Sequence, residues 1–371
     1  MKIGIYTIHS HFNYGAMLQA YATQKAIEKM GFEVFIVNLF TKKEEKKNKL
    51  RSFDSSLFTN LKYFIASLHP DMTKKFSRFE KFHKSLNLTK RFFSKEEVFK
   101  NPPKMDLHLV GSDQVWNLQN GIDEYFFLTF LNPQDVKISY ASSFGTSNIH
   151  DKYKPFLKKF LSSFSSIGVR ENDGVSIIKE STGLKAKQVL DPTFLLSQSE
   201  WNSIISERII KEEYILYYGF DNSNTSKSII ENIRIKLKTQ VIAVSASFSF
   251  PHKVDKFIRD AGPKEFLNLI KFSKFVVASS FHGVALAIKF RKSFFSIKHP
   301  TRNSRMETIL KNLELYERQM ESPEKILMMS KEDLFINYDD DLNKKITDYV
   351  NDSNEWLKDA IYKSLSKNVE F

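Results

Sequence analysis

The chain has 371 residues, 42% of them apolar, no cysteine and a formal net charge of +13. This is enough for two domains of ordinary size with real cores, and the lack of Cys excludes disulfides, thiolate metal sites and cysteine nucleophiles. No apolar run approaches the roughly 18–20 residues needed to cross a bilayer, and the N-terminal Met1-Lys2-Ile3-Gly4-Ile5-Tyr6 reads as a strand, not a signal peptide. The expected location is therefore the cytosol.

The first predicted strand, 2–7, leads into a helix from about Gly15 to Met30, whose Ala16, Leu18, Ala20, Ala22, Ala26 and Ile27 supply small and apolar packing positions. Gly31 provides the C-terminal stop. With the next strand, 33–39, this is a β-α-β opening, in which parallel strands require a crossover helix. Further strands are expected at 106–110, 137–141, 165–169 and 187–190.

Residues 41–104 interrupt the series with 17 Lys/Arg against 7 Asp/Glu. They read as an inserted helical segment with proline breaks at His69-Pro70 and Pro102-Pro103. The patch suits a solvated helical face or an anionic membrane surface. Its aromatics, among them Phe53, Phe58, Tyr63, Phe64, Phe76, Phe79 and Phe82, fall mostly at helical spacing. No nucleic-acid motif is visible, so nucleic acid is not an expected partner.

A second α/β series has strands at 214–219, 240–246, 274–279 and 293–297, with helices near 225–238, 263–272 and 283–290. The join is placed at Asp191–Glu200, followed by a helix begun at Trp201. The expected organisation is a Rossmann-like domain over 1–195 that contains the insertion 41–104, a second over 205–335, and a helical tail over 336–371 bearing Trp356 and Leu357. Such a tail is expected to cross back to the first domain. Two parallel sheets imply a crevice at the carboxyl ends of their strands, where open α/β folds bind ligands.

The residues just after each strand are therefore the candidates. Ser279-Ser280-Phe281-His282-Gly283 follows strand 274–279 and opens a helix. A helix N-terminus suits an anion, and its dipole helps an imidazole release a proton. A histidine that only caps a turn is the alternative. Arg170 follows strand 165–169 and offers a planar fork to carboxylate or phosphate, or a salt bridge to Glu171 or Asp173. After strand 2–7, Asn13 can cap the helix, Gly15 and Ala16 allow close backbone approach, and polar side chains such as Tyr14 can hydrogen-bond sugar hydroxyls, with plain capping and a tight turn as the alternative. His9 and His11 lack the spacing of a metal pair. Gly111-Ser112-Asp113-Gln114-Val115-Trp116-Asn117 and Ser142-Ser143-Phe144-Gly145 sit at the expected rim. There Asp113 can accept from a sugar hydroxyl, and Trp116 can stack on a sugar ring or lie buried. Arg302 and Arg305, at the start of a later helix, make a second anion candidate. Neither Gly-x-Gly-x-x-Gly nor a Walker pattern occurs.

Taken in order, these segments resemble the polysaccharide pyruvyl transferase family. The likeness is carried by Asn13-Tyr14-Gly15-Ala16-Met17-Leu18-Gln19-Ala20, Val110 to Asn117, Tyr140 to Gly145, Val169-Arg170-Glu171 and Val189 to Leu196. It continues through Gly262 to Leu267, Ser279 to Gly283 and Arg302-Asn303-Ser304-Arg305. The resemblance implies two Rossmann-like domains in the manner of GT-B glycosyltransferases, facing each other across a deep cleft. The first is the acceptor side, and the second is the side of the donor, phosphoenolpyruvate (PEP).

The implied reaction transfers a pyruvyl group from PEP to two hydroxyls of a sugar, as a cyclic ketal, with release of phosphate. The acceptor is implied to be linked to a polyprenyl diphosphate at the inner face of the membrane, in surface polysaccharide biosynthesis. No cofactor is expected, PEP being a substrate. The resemblance gives His282 the role of acid and Arg170 that of a PEP ligand. Around them Ser280, Phe281, Gly283, Arg302, Arg305, Asn13, Tyr14, Gly15, Ser112, Asp113, Ser142 and Ser143 form the expected substrate site. Some family members carry Arg two residues before that His; Ser280 stands there, and Arg302 or Arg305 is the expected substitute. A nucleotide-sugar glycosyltransferase of the same architecture and a non-catalytic saccharide binder are the alternatives.

Overall fold

Two parallel sheets, packed against each other through helices, carry the fold. The computed structural model describes residues 1–9, 12–41, 70–219, 223–245, 253–298 and 303–366. The first sheet contains β1 (Lys2–Tyr6), β2 (Glu33–Ile36), β3 (Leu107–Val110), β4 (Lys137–Ser142), β5 (Ser166–Val169) and β6 (Lys187–Gln188), in the order β2-β1-β3-β4-β5-β6. The second contains β7 (Tyr214–Tyr218), β8 (Gln240–Val244), β9 (Lys256–Ile258), β10 (Phe275–Ala278), β11 (Phe294–Ile297) and β12 (Gln319–Met320), in the order β12-β11-β10-β7-β8-β9. Every strand pair is parallel. The central strands are buried along their whole length, as runs such as Leu-His-Leu-Val and Phe-Val-Val-Ala require once helices cover both faces.

The first half carries α1 (Tyr14–Glu28), α2 (Pro70–His83), α3 (Lys95–Lys100), α4 (Lys154–Leu161), α5 (Asn172–Thr182) and α6 (Gln198–Asn202). The second carries α7 (Asn224–Leu237), α8 (Pro263–Phe272), α9 (Phe281–Lys289), α10 (Ser304–Asn312), α11 (Glu324–Met328) and α12 (Asp340–Ser366). Helix α2 begins at Pro70, where the missing N–H costs nothing. The helix at Trp201 begins at Gln198, under a Ser197–Glu200 capping box. Strands β9 and β12 were not expected from the sequence, and both are too short to show a periodicity.

Much of the basic insertion, residues 42–69, lies outside the described residues. Part of the remainder of the insertion extends the first sheet. Residues 87–92 run beside β2, with Ile36 N donating to Asn87 O at 2.8 Å and Phe92 N to Asn38 O at 2.9 Å.

The halves are joined by packing, not only by the chain. Tyr14 of α1 stacks on Phe266 of α8 at 4.6 Å, and one continuous apolar cluster draws on both sheets. Helix α2 reaches across as well: Lys75 Nζ donates to Ser245 O at 2.8 Å, and Arg78 pairs with Asp260 and Glu265 at 2.8 and 3.2 Å. Helix α12 returns from the second half to lie against the first sheet. Leu190 N donates to Ser353 Oγ at 3.0 Å, and an ideal side chain at Gly168 would begin 2.6 Å from Trp356. No helix among the described residues is long and apolar enough to cross a membrane.

Candidate functional site

In both sheets the strand order reverses next to the first strand, between β1 and β3 in one and between β7 and β10 in the other. Crevices form outside the carboxyl ends of strands at such switch points. His282 lies at the second of these, in the first turn of α9, which starts at Phe281, two residues earlier than expected. It is 6% exposed. Gly283 lets this turn settle onto the sheet, since a Cβ there would come within 2.8 Å of Ala278 and 2.9 Å of Tyr218. The Ser280 hydroxyl does not cap the helix and pairs with Tyr218 instead.

The His282 ring is held on two sides. A Cβ on Gly15 would fall 2.1 Å from Nδ1, so the imidazole fills the volume that any side chain at position 15 would need. Its Nε2 faces Asp191 Oδ2 at 3.5 Å. Asp191 caps the short helical turn after β6, and its Oδ1 accepts from Thr193 N at 2.9 Å and Thr193 Oγ1 at 2.7 Å.

Arg170, at the end of β5, pairs with Asp191 Oδ2 through Nη2 at 2.9 Å, and Nη2 also donates to Ser112 Oγ. Its ion-pair partner is therefore distant in sequence, not the neighbouring Glu171 or Asp173. Nη1 lies 3.8 Å from Asp113 Oδ1, and neither Nη1 nor Nε has a hydrogen-bond partner although the side chain is 1% exposed. A buried donor left unpaired costs about 1–3 kcal/mol, so these N–H groups favour an acceptor that enters the site. Arg305, from the first turn of α10, faces the same place. The Arg170 and Arg305 guanidiniums lie 5.0 and 5.8 Å from the centre of the Phe281 ring. With its amide oxygen turned toward Arg305, Gln114 accepts from Nη1 at 2.9 Å. Arg302 lies outside the described residues.

Three carboxylates share this region, and their environments separate them. Burial alone would raise Asp191, but Arg170, His282 and Thr193 overcome it and hold its carboxyl far below the ordinary value. Asp113 follows the same logic: burial opposes ionisation, and Arg170, His282, Arg305 and the Gln114 N–H outweigh it. Glu171 goes the other way, raised by burial despite Arg305 and the hydrogen bonds at Oε1. That oxygen accepts from Ser143 Oγ at 3.0 Å, Phe144 N at 2.7 Å and Gly145 N at 3.1 Å.

Several of the expected site residues are held by bonds within the protein. Ser142 Oγ donates to Val110 O at 3.1 Å, Ser143 is committed to Glu171, and Ser112 joins Arg170 to the Ala141 carbonyl; all three are fully buried. Asn13 caps α1 by accepting from Ala16 N at 3.3 Å. Tyr14 donates to Ser245 O at 3.3 Å and Ala261 O at 3.1 Å, which makes it part of the joint. Of its two readings Trp116 takes the buried one. It is fully buried, lies parallel to Phe127 at 5.6 Å and donates to Phe126 O at 2.9 Å, which satisfies its one polar atom inside the core.

Sequence reasoning passed over Asp191 and Gln19 as site residues. Asp191 follows a predicted strand directly, so the rule that flagged Arg170 and Ser112 applies to it equally. Gln19 is buried in α1, accepting from Ser112 N at 3.3 Å and donating to Thr7 Oγ1 at 2.9 Å, and no local pattern marks it.

A family model for polysaccharide pyruvyl transferase matches residues 13–300. No curated protein matches the chain in sequence. Among solved structures, UDP-GlcNAc 2-epimerase from Neisseria meningitidis, bound to UDP-GlcNAc, aligns with a TM-score of 0.52 at 10% identity, over 98% of this chain and 100% of that one. UDP-N-acetylglucosamine 2-epimerase from Rickettsia bellii aligns at 0.49 and 9% identity, over 98% and 99%. The E. coli ADP-heptose heptosyltransferase II aligns at 0.38 and 8%, over 94% and 99%. The first of these supports the two-sheet α/β fold class. At such identities the likeness is one of fold alone.

Proposed function

This chain belongs to the polysaccharide pyruvyl transferase family, and on that premise we propose that it transfers the pyruvyl group of PEP to two hydroxyls of a saccharide, releasing phosphate. The observation that carries this reading is the pair of guanidiniums, Arg170 and Arg305, on the Phe281 ring beside His282, with Arg170 Nε and Nη1 lacking partners. A carboxylate and a phosphate on one small molecule match two planar forks. Arg305 thus takes the place of the Arg absent at Ser280.

In this reading His282 protonates the PEP methylene carbon, which makes C2 an oxocarbenium-like electrophile. One sugar hydroxyl adds to C2 and loses its proton. The C2–O bond to phosphate then breaks, and a second hydroxyl closes the ketal. One hydroxyl proton restores His282, and the other leaves with phosphate. Positioning and general acid catalysis supply the rate. The acceptor is a saccharide, lipid-linked at the inner membrane face, with the basic insertion 41–104 as the surface that meets anionic lipid.

The test is incubation with PEP and a panel of lipid-linked saccharides, following phosphate release and product mass, with His282→Ala as control. The proposal predicts both signals from the wild-type protein and neither from the variant. Nucleoside diphosphate release from a sugar nucleotide would replace this reading with the glycosyltransferase one. Ligand retention without turnover in the wild type would make the protein a binder. Salt-sensitive sedimentation with anionic vesicles tests the membrane contact, and its absence would remove that part.

A further inference from the structure

We propose that Asp191 is the positioning residue for His282: it fixes the imidazole across the joint between the two halves and keeps a proton on Nε2. The inference rests on the pyruvyl-transfer reading for its kinetic consequence but not for its geometry.

The Asp191 carboxylate is fully buried and cannot rotate without losing bonds, because Thr193 N and Thr193 Oγ1 both donate to Oδ1 at 2.9 and 2.7 Å. Oδ2 is thereby aimed at three groups from three elements. Arg170 Nη2 stands at 2.9 Å, Ser112 Oγ at 3.4 Å and His282 Nε2 at 3.5 Å. Arg170 and Ser112 belong to the first sheet, and His282 belongs to the second.

A neutral imidazole with one nitrogen toward a carboxylate carries its proton there, which fixes both tautomer and ring plane. The 3.5 Å separation is longer than a settled hydrogen bond, as catalytic contacts often are before substrate binds. Nδ1 is then the ring atom available for proton exchange with substrate. It lies on the Gly15 side, in the space a side chain there would fill. The division of labour is that of a carboxylate which orients a histidine without itself taking up the proton.

The test uses the full chain labelled with 15N-histidine. His282 is identified among the nine histidines as the ring whose signals vanish in His282→Gln. In the wild type its neutral form should be the Nε2–H tautomer. Asp191→Asn should abolish that preference and lower kcat by between about 10- and 10⁴-fold, with KM for PEP changed far less. Asp191→Glu, which keeps the charge, should retain the tautomer and recover part of kcat. Should Asp191→Asn fail to fold by circular dichroism, the tautomer in Asp191→Glu decides. An unchanged tautomer in a folded Asp191→Asn, an unchanged kcat there, or loss of the Nε2–H tautomer in Asp191→Glu would overturn the inference. A wild-type protein inactive on PEP would instead defeat the pyruvyl-transfer reading, and the tautomer would still decide the role of Asp191.

Discussion

At the carboxyl ends of the first sheet stand Asp113, Arg170, Glu171 and, past β6, Asp191. At the same ends of the second stand Ser280 and His282, with Arg305 one crossover later. The first set is positioned from within its own half: Asp191 holds Arg170, Ser112 bridges to Ala141, and the 143–145 turn holds Glu171, while Arg170 Nε and Nη1 stay unpaired. Apart from Ser280, which pairs with Tyr218 of its own sheet, the second set finds its partners across the crevice. His282 meets Gly15 and Asp191, Arg305 meets Gln114, and Thr308 of α10 accepts from Asn172 N of α5 at 3.2 Å. One half is thus prebuilt, and the other is completed by contact, so the full constellation exists only while the joint is closed.

The contrast can be broken most directly at His282. His282→Gln should reduce turnover by roughly 10²- to 10⁴-fold, the usual worth of a general acid, while the melting temperature stays close to wild type. Turnover within a few-fold of wild type would mean that the first half carries the chemistry alone. Gly15→Ala comes next. Its Cβ would need the space of the imidazole, and displacing a catalytic group by about 1 Å costs on the order of 10²-fold. Steady-state kinetics should show a kcat loss with intact secondary structure.

Arg305→Ala should act on binding. The loss of a charge-assisted contact of about 1.5–3 kcal/mol should raise KM for PEP by roughly 10- to 150-fold, measurable by phosphate release. If kcat falls instead, Arg305 belongs to the chemistry and the division between the halves is less clean.

The joint itself has a pH signature. Burial lowers the Lys75 ammonium to about 8. Between that value and 10.5 the unfolded chain binds a proton at Lys75 that the folded chain does not, so stability should rise with pH through this window. The rise can reach about 3 kcal/mol. It should vanish in Lys75→Met, as read by urea unfolding at pH 8 and pH 10. The smallest effect is expected at Lys187→Ala. Its pair with Asp352 is about half exposed on both sides, and such pairs contribute roughly 0–1 kcal/mol. A larger loss would show that the clasp between α12 and the first sheet is electrostatic and not apolar.

Most of the scaffold was legible because parallel strands buried on both faces print themselves as short apolar runs. Leu107–Val110, Tyr214–Tyr218 and Phe275–Ala278 stand where the sequence placed strands. What the sequence concealed had no local pattern. Strand β12 is two residues long and owes its existence to its neighbour, not to its composition. The site was legible to the same degree. His282, Arg170 and Arg305 sit where the rule about strand and helix ends put them, and they converge. Asp191 read only as the start of the join between the domains, because its meaning depends on groups at positions 112, 170 and 282. Trp116 had two readings, a stacking surface or a buried side chain, and the core claimed it.

Helix α12 is the last described element, yet Trp356 closes the face of the first sheet at Gly168 and Tyr140. A chain made from its N-terminus presents that face bare from the time β5 emerges until α12 is complete. At about 5–20 residues per second the interval is on the order of 10–40 s. During it the first half resembles a client for a holding chaperone more than a finished domain, and a nascent chain stalled before residue 340 should keep that status.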